Sequence, residues 1–342
     1  MVEDETDNNN RQAKRLCPEN DDTTPVMDVW TKLKSWIESF PGGFVHPCLK
    51  FDVGERKMIV TSDISTKQML ACIPQECILT KQRVLKEMKE EGYQLKEAVE
   101  DLNYPLKLIS RDDIFLSLSM AFMIQQHRSQ SSFAPYFESL PNSESYNIIP
   151  RRWPESKLKE LLGGTSLYDR VKDERMELKC AYDAIKYQMK GNAILQKIPP
   201  YSLFDDMYAA LSSRGFAGLS SKSSDNDDAG DAMVPLLDLL DHKRGTQGKR
   251  DVRYNKATKQ NIEDLICVYA DQELKEKSII CQTYGAKGNS QLLYRYGFCI
   301  PGNIEPDGKY VHTSKMFQYC KQIIHIHIAL ATQNFSMVSY FS

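Results

Sequence analysis

Three residues able to bind and orient polar groups close an apolar run at 233–242, MVPLLDLLDH. They are Asp238, Asp241 and His242. A tyrosine, Tyr284, follows 42 positions after His242, inside a second run, SIICQTYGAKGNSQLLYRYGF, which also carries Asn289 and Tyr296. A carboxylate accepts hydrogen bonds and attracts cations. A phenol with a pKa near 10 donates and accepts while staying uncharged at pH 7, so it orients a reacting group better than it abstracts a proton. Taken singly, Tyr284 reads as a core tyrosine at a strand end and His242 as a satisfied core histidine. Pattern alone gives a buried segment, then a strand, a turn and a helix.

The two segments in this order resemble the signature of SET-domain protein methyltransferases. The resemblance is to the subfamily of the RuBisCO large-subunit lysine methyltransferase and the actin-histidine methyltransferase. There an Asp-x-x-Asn-His segment and a Tyr-Gly-x-x-x-Asn segment meet around S-adenosyl-L-methionine. Other stretches match in order: Gly42-Gly43 through Pro47; Tyr136, Leu140-Pro141, Trp153 and Leu162 through Thr165; and Ser213-Arg214 with Phe216. The resemblance implies that Tyr284 is the catalytic residue, hydrogen-bonding near the methyl group and orienting the amine. It places Ser213, Asp238 and Tyr296 along the substrate channel. Arg214 would pair with the cofactor carboxylate through its fork of donors. Asp241, where the family usually has asparagine, and His242 would lie against the cofactor. Arg56, Lys57 and Met58 align with a Gly-x-Gly-Leu stretch whose backbone approaches the cofactor, and here both glycines are missing. No metal is implied.

These residues need a scaffold. Asp28 to Phe40 places Val29, Leu33, Trp36 and Ile37 on one helical face and stops at Pro41. KMIVTSDI and QMLACIP read as two strands around a turn. From Lys81 to Ile198 the pattern is mostly helical, with helices expected at 112–127, 156–162 and 168–189, and another at 202–218. Residues 1–26 have no core-forming composition and are expected to be a disordered tail, as is the loop at 220–231. After Phe298 only 44 residues remain, and HIHIALATQNFSMVSYFS alternates as a strand would. Residues 301–342 therefore read as a truncated or altered substrate-binding region. His325 and His327 share one face there, with no third ligand nearby.

Composition fits a globular chain. Of 342 residues, 41% are hydrophobic and 26% charged, and the net charge is −2. That balance gives no basic field for nucleic acid, and no apolar run is long enough for a membrane span. The polar N-terminus has no apolar core of a secretory signal. Nine scattered cysteines, none in a CxxC pair, point to reduced thiols in the cytoplasm or nucleus. There is no GxGxxG after a strand and no P-loop.

The expected fold is α+β, a SET domain over 27–300. Short twisted sheets and a knot-like C-terminal threading, both implied by the resemblance, would carry a helical insert at about 82–200. The expected activity is S-adenosylmethionine-dependent methylation of a lysine on a protein substrate, by a monomer. A histidine target is the second reading, and a non-catalytic SET-like binding module is the alternative from another class.

Overall fold

The computed structural model describes residues 28–127, 131–192, 198–216, 231–244, 248–253 and 265–303. The expected tail over 1–26, most of the loop at 220–231, and His325 and His327 lie outside these residues.

The chain opens with helix α1, Val29–Glu38, capped by the Asp28 carboxylate, which accepts the Thr31 N–H at 3.0 Å. Its buried stripe is Trp30, Leu33 and Ile37, with Val29 and Trp36 at the edges. Four short strands follow: β1 Phe44–Val45, β2 Leu49–Asp52, β3 Lys57–Val60 and β4 Met69–Ile73. β2 and β3 form an antiparallel hairpin whose turn ends at Arg56, in the left-handed region at φ 52°.

Helices then take over: α2 Lys81–Met88, α3 Glu90–Glu100, α4 Arg111–His127, α5 Ala134–Ser139, α6 Glu155–Leu162, α7 Ser166–Gln188 and α8 Tyr201–Arg214. α4 is apolar nearly all round (Ile114, Phe115, Leu116, Leu118, Met120 and Phe122 are all buried), as a helix central to a core must be. It packs on α8. The last elements are β5 Asp241–His242, β6 Gly248–Arg253, β7 Leu265–Ala270, β8 Cys281–Gln282 and α9 Asn289–Tyr296.

The largest sheet runs β1-β4-β7-β6, antiparallel throughout, while β5 and β8 make a small parallel pair. One hydrophobic cluster joins α1, the sheet residues Ile73, Ile266 and Val268, and α4 and α8. A second joins Trp153, Leu158, Leu162, Leu167 and Val171 to Leu293 and Tyr294 of α9. It joins the helical layer to α9.

Two of the scattered cysteines come together: Cys72 and Cys267 face each other across the β4–β7 pairing, Cα atoms 4.2 Å apart. They are 195 residues apart in sequence, so no spacing rule could pair them. Among the described residues, no helix is long and apolar enough to cross a membrane, and no group of three or more His, Cys, Asp or Glu could hold a metal ion.

Candidate functional site

The site is assembled by backbone pairing. Leu79 and Met233 exchange N–H···O bonds of 2.9 and 3.0 Å, which seats the start of the acidic segment beside the exit of β4. Phe216 and Ala232 exchange another pair, fastening the end of α8 to the same segment. Residues 277–280 run along β3, with the Ile280 N–H donating to the Met58 carbonyl at 2.8 Å, and lead into β8 beside β5.

That parallel pairing brings Tyr284 onto His242. The Tyr284 N–H donates to His242 Nδ1 at 3.0 Å, and the rings stack with centroids 5.0 Å apart. The Tyr284 hydroxyl donates to the Leu240 carbonyl at 3.0 Å. Tyr296 lies 4.7 Å from the Tyr284 ring, and Phe298 lies 6.1 Å from Tyr296 and 6.0 Å from His242. Asn289 explains the Tyr-Gly-x-x-x-Asn spacing. Its amide donates to the Ile300 carbonyl at 2.9 Å and accepts the Ile300 N–H at 3.0 Å, turning the chain so that Phe298 faces back. Arg244 braces the same turn by donating to the carbonyls of Gly285 and Lys287 at 2.7 and 2.6 Å and to Asn303.

The other half is charged. Arg214 is half-buried at the end of α8 and donates through Nη1 to the Asp238 carbonyl. Asp238 is buried, and its carboxylate accepts the Tyr136 hydroxyl at 3.0 Å. Arg56 reaches in from the hairpin turn, donates to the Ser139 carbonyl at 3.0 Å and lies over the Phe51 ring.

Burial sets the charge states. It pushes the Asp238 carboxyl up to about 6, against the opposing pull of Arg214 and the Tyr136 hydrogen bond. Asp241 opens into a cavity, yet desolvation still holds its carboxyl above the ordinary range, opposed by Arg214 and Lys57. Burial, aided by Arg244, takes His242 down to about 4, so its ring is neutral and its Nδ1 is the acceptor. Burial raises Tyr284 and Tyr296, so both phenols keep their protons. Desolvation and then the neighbouring Arg214 lower Arg56. Arg214 itself is raised, because Asp238 and the surrounding phenols outweigh its burial.

Two cavities flank this core. The smaller, about 280 Å³, is lined by Glu55, Arg56, Tyr146, Leu239, Asp241 and Phe298 among others. The larger, about 490 Å³, is lined by Asp231, Asp238, Gln282, Thr283, Lys287 and Arg295 among others. Ser213, Arg214, Tyr284 and Tyr296 line both, so they form the wall between them. Lys57 and Met58 line neither. Met58 is in the core with its carbonyl paired to the Ile280 N–H, and Lys57 contacts Glu55 at 3.4 Å. His242 stands behind Tyr284 as a positioning residue.

Seven buried side-chain polar atoms among the described residues have no hydrogen-bond partner. Five belong to this site: Arg56 Nε, Tyr146 Oη, Arg214 Nε, Asp238 Oδ1 and His242 Nε2. Buried polar groups are normally paired, so this concentration of donors with one anionic acceptor fits a zwitterionic ligand group. Sequence reasoning missed Tyr146 and Arg244, and it quoted Tyr136 only as a mark of the insert. No local pattern distinguishes them: the partners of Tyr136 and Arg244 lie far away in the chain, and the Tyr146 hydroxyl has none.

The fold has close relatives among solved structures. The SET domain of LSMT bound to lysine and AdoHcy superposes with a TM-score of 0.63, at 17% identity, over 81% of this chain and 58% of that one. Rubisco LSMT bound to sinefungin and monomethyllysine gives 0.59, at 17% identity, over 81% and 57%. The fold is that of a SET domain. By sequence, the chain is 23% identical over 305 residues to the N-lysine methyltransferase setd6 of Danio rerio, covering 85% of this chain and 60% of that protein. It is 23% identical over 191 residues to SETD6 of Mus musculus, covering 55% and 38%. It is 26% identical over 250 residues to the ribosomal lysine N-methyltransferase set10 of Schizosaccharomyces pombe, covering 72% and 40%. The chain thus spans 38% to 60% of the length of these relatives. No family model matches it.

Proposed function

We propose that this chain is an S-adenosylmethionine-dependent protein-lysine N-methyltransferase. The observation that carries the reading is the shared wall of Ser213, Arg214, Tyr284 and Tyr296 between two cavities. A transfer between a small cofactor and a protein side chain needs two entrances meeting at one narrow point. The smaller cavity, with Arg56, Arg214 and Asp241, suits the cofactor, and the larger one suits the lysine end of a protein substrate. The partnerless donors fit the carboxylate of the cofactor's amino-acid end, and Asp241, which lines the smaller cavity, fits its ammonium.

When bound, S-adenosylmethionine supplies an electrophilic methyl on a sulfonium. The protein must supply a neutral, aligned amine. Lysine has a pKa near 10.4, so deprotonating it at pH 7 costs about 4 to 5 kcal/mol. Desolvation in the channel and nearby positive charge both disfavour the ammonium. The Tyr284 hydroxyl already donates to Leu240, which leaves its oxygen as the acceptor for the amine N–H. Tyr296 and Tyr284 wall the channel, and the Ser213 carbonyl is the second acceptor. His242 holds the Tyr284 ring and backbone in place. A monomer in a cytosolic or nuclear setting belongs to the same reading, which the five described cysteines outside the Cys72–Cys267 contact support as thiols. A histidine side chain is the second candidate target for the same channel.

Tyr284→Phe tests the reading. Cofactor affinity by calorimetry should hold, while kcat falls on the order of 100-fold, about 3 kcal/mol of lost transition-state stabilisation. Saturating cofactor should not restore it. A variant that turns over at the wild-type rate removes Tyr284 from the mechanism. The competing binding-module reading draws on the missing glycines at 55–58, and it prevails if the wild type binds no cofactor at millimolar concentration.

A further inference from the structure

We infer that Tyr146, with the side chains of Arg56 and Arg214, forms a three-donor seat for the carboxylate at the cofactor's amino-acid end. The inference rests on the methyltransferase reading and deepens it. Where the family resemblance expects a glycine stretch that approaches the cofactor through its backbone, this chain has Glu55-Arg56-Lys57-Met58. The backbone there is engaged or turned away: Met58 pairs with Ile280, and Lys57 lines neither cavity. The residues of this stretch that line the smaller cavity are Glu55 and Arg56, and Arg56 is the cationic one.

Tyr146 lines the same cavity. It sits in a 3-10 turn, Ser143–Ile148, whose start is fixed by Asn142 accepting the Ser145 N–H at 3.0 Å. Its ring is 3% exposed, and its hydroxyl is buried with no partner, although it lines the cavity with Arg56 and Arg214. Both guanidiniums also have a buried Nε without a partner. Burial takes the phenol up to about 12, so it remains a donor. Arginine has no acceptor, and the Tyr146 hydroxyl keeps a proton with no partner to take it, so the three groups call for a ligand group that accepts. A carboxylate does so, with lone pairs enough for all three. A tyrosine serving only to fill the core would leave its hydroxyl desolvated with nothing gained, and phenylalanine would serve better.

That contrast sets the test. Tyr146→Phe is compared with wild type by calorimetry against S-adenosylmethionine and against 5′-methylthioadenosine, which lacks the amino-acid end. Denaturant midpoints are measured without ligand. Affinity for S-adenosylmethionine should fall about 10-fold or more, as for loss of a hydrogen bond to a charged group. Affinity for 5′-methylthioadenosine should not change, and the ligand-free midpoint should stay level or rise. Unchanged S-adenosylmethionine affinity overturns the seat, and so does an equal loss on both ligands with a lowered midpoint, which marks ring packing. If the wild type binds no S-adenosylmethionine, the cofactor reading itself falls, an outcome distinct from a wild type that binds and a variant that binds equally well.

Discussion

Asp238 and His242 stand four positions apart, and burial shifts their protonation in opposite directions. The Asp238 carboxyl, raised from 3.8 to about 6, holds a proton in the folded chain that the unfolded chain has released, so its contribution to stability rises as pH falls across that window. His242, lowered from 6.5 to about 4, stays neutral when the unfolded chain has taken up a proton, so its contribution falls as pH falls from 6.5 to 4. The two offset each other in the wild type. Asp238→Asn, which can still accept the Tyr136 hydroxyl, removes one of them. Urea unfolding measured from pH 6.5 to 4 should then show stability falling more steeply with acidification than in wild type. Parallel profiles would mean that Asp238 does not carry a raised pKa. At this scale the sequence was readable where spacing is local: Asp238, His242 and Tyr284 stand in recognisable runs. Tyr146 was not, because what marks it is a hydroxyl without a partner, and burial cannot be read from a residue type.

Helix α9 is the element on which the channel wall hangs. Leu293 and Tyr294 anchor it in the second hydrophobic cluster, and Gly297 ends it at φ 80°. A Cβ on Gly297 would lie 2.7 Å from the Ile148 carbonyl oxygen, so the glycine is required both for its conformation and for the close approach of the 3-10 turn that carries Tyr146. Tyr296 and Phe298 flank it. Gly297→Ala should therefore cost more than the ~1 to 2 kcal/mol of left-handed backbone alone, and it should weaken cofactor binding as well. Gly164→Ala is the control: it has a similar φ of 78° but nothing within 4 Å of the added Cβ, so it should cost the backbone amount and leave binding intact. Equal destabilisation in a chemical-denaturation series would argue against the contact. The helices themselves were readable, α1 from its 3.6-residue stripe and α4 as an apolar run with an acidic first turn. The strands were readable only in part. β1, β5 and β8 are two residues long and carry no period, and β6, GKRDVR, is polar. Each exists because a partner strand is waiting, and that is a long-range fact.

Across the whole molecule, the arrangement depends on pairings that no periodicity reveals. β4 and β7 join residues on either side of the helical layer and bring Cys72 and Cys267 face to face. The α+β class and the SET fold came into view through the order of several motifs, while strand order and register did not. One consequence follows from the partition of Ser213, Arg214, Tyr284 and Tyr296. Under the proposed reading, with cofactor and protein substrate in separate cavities, spent cofactor could leave without the protein substrate leaving first. Successive methyl groups would then be added within a single encounter. Mass spectrometry of a methylated substrate at early times, with substrate in large excess over the protein, should find dimethylated or trimethylated product while most substrate is still unmodified. A pool that passes wholly through the monomethyl form would mean that the substrate is released after every turnover.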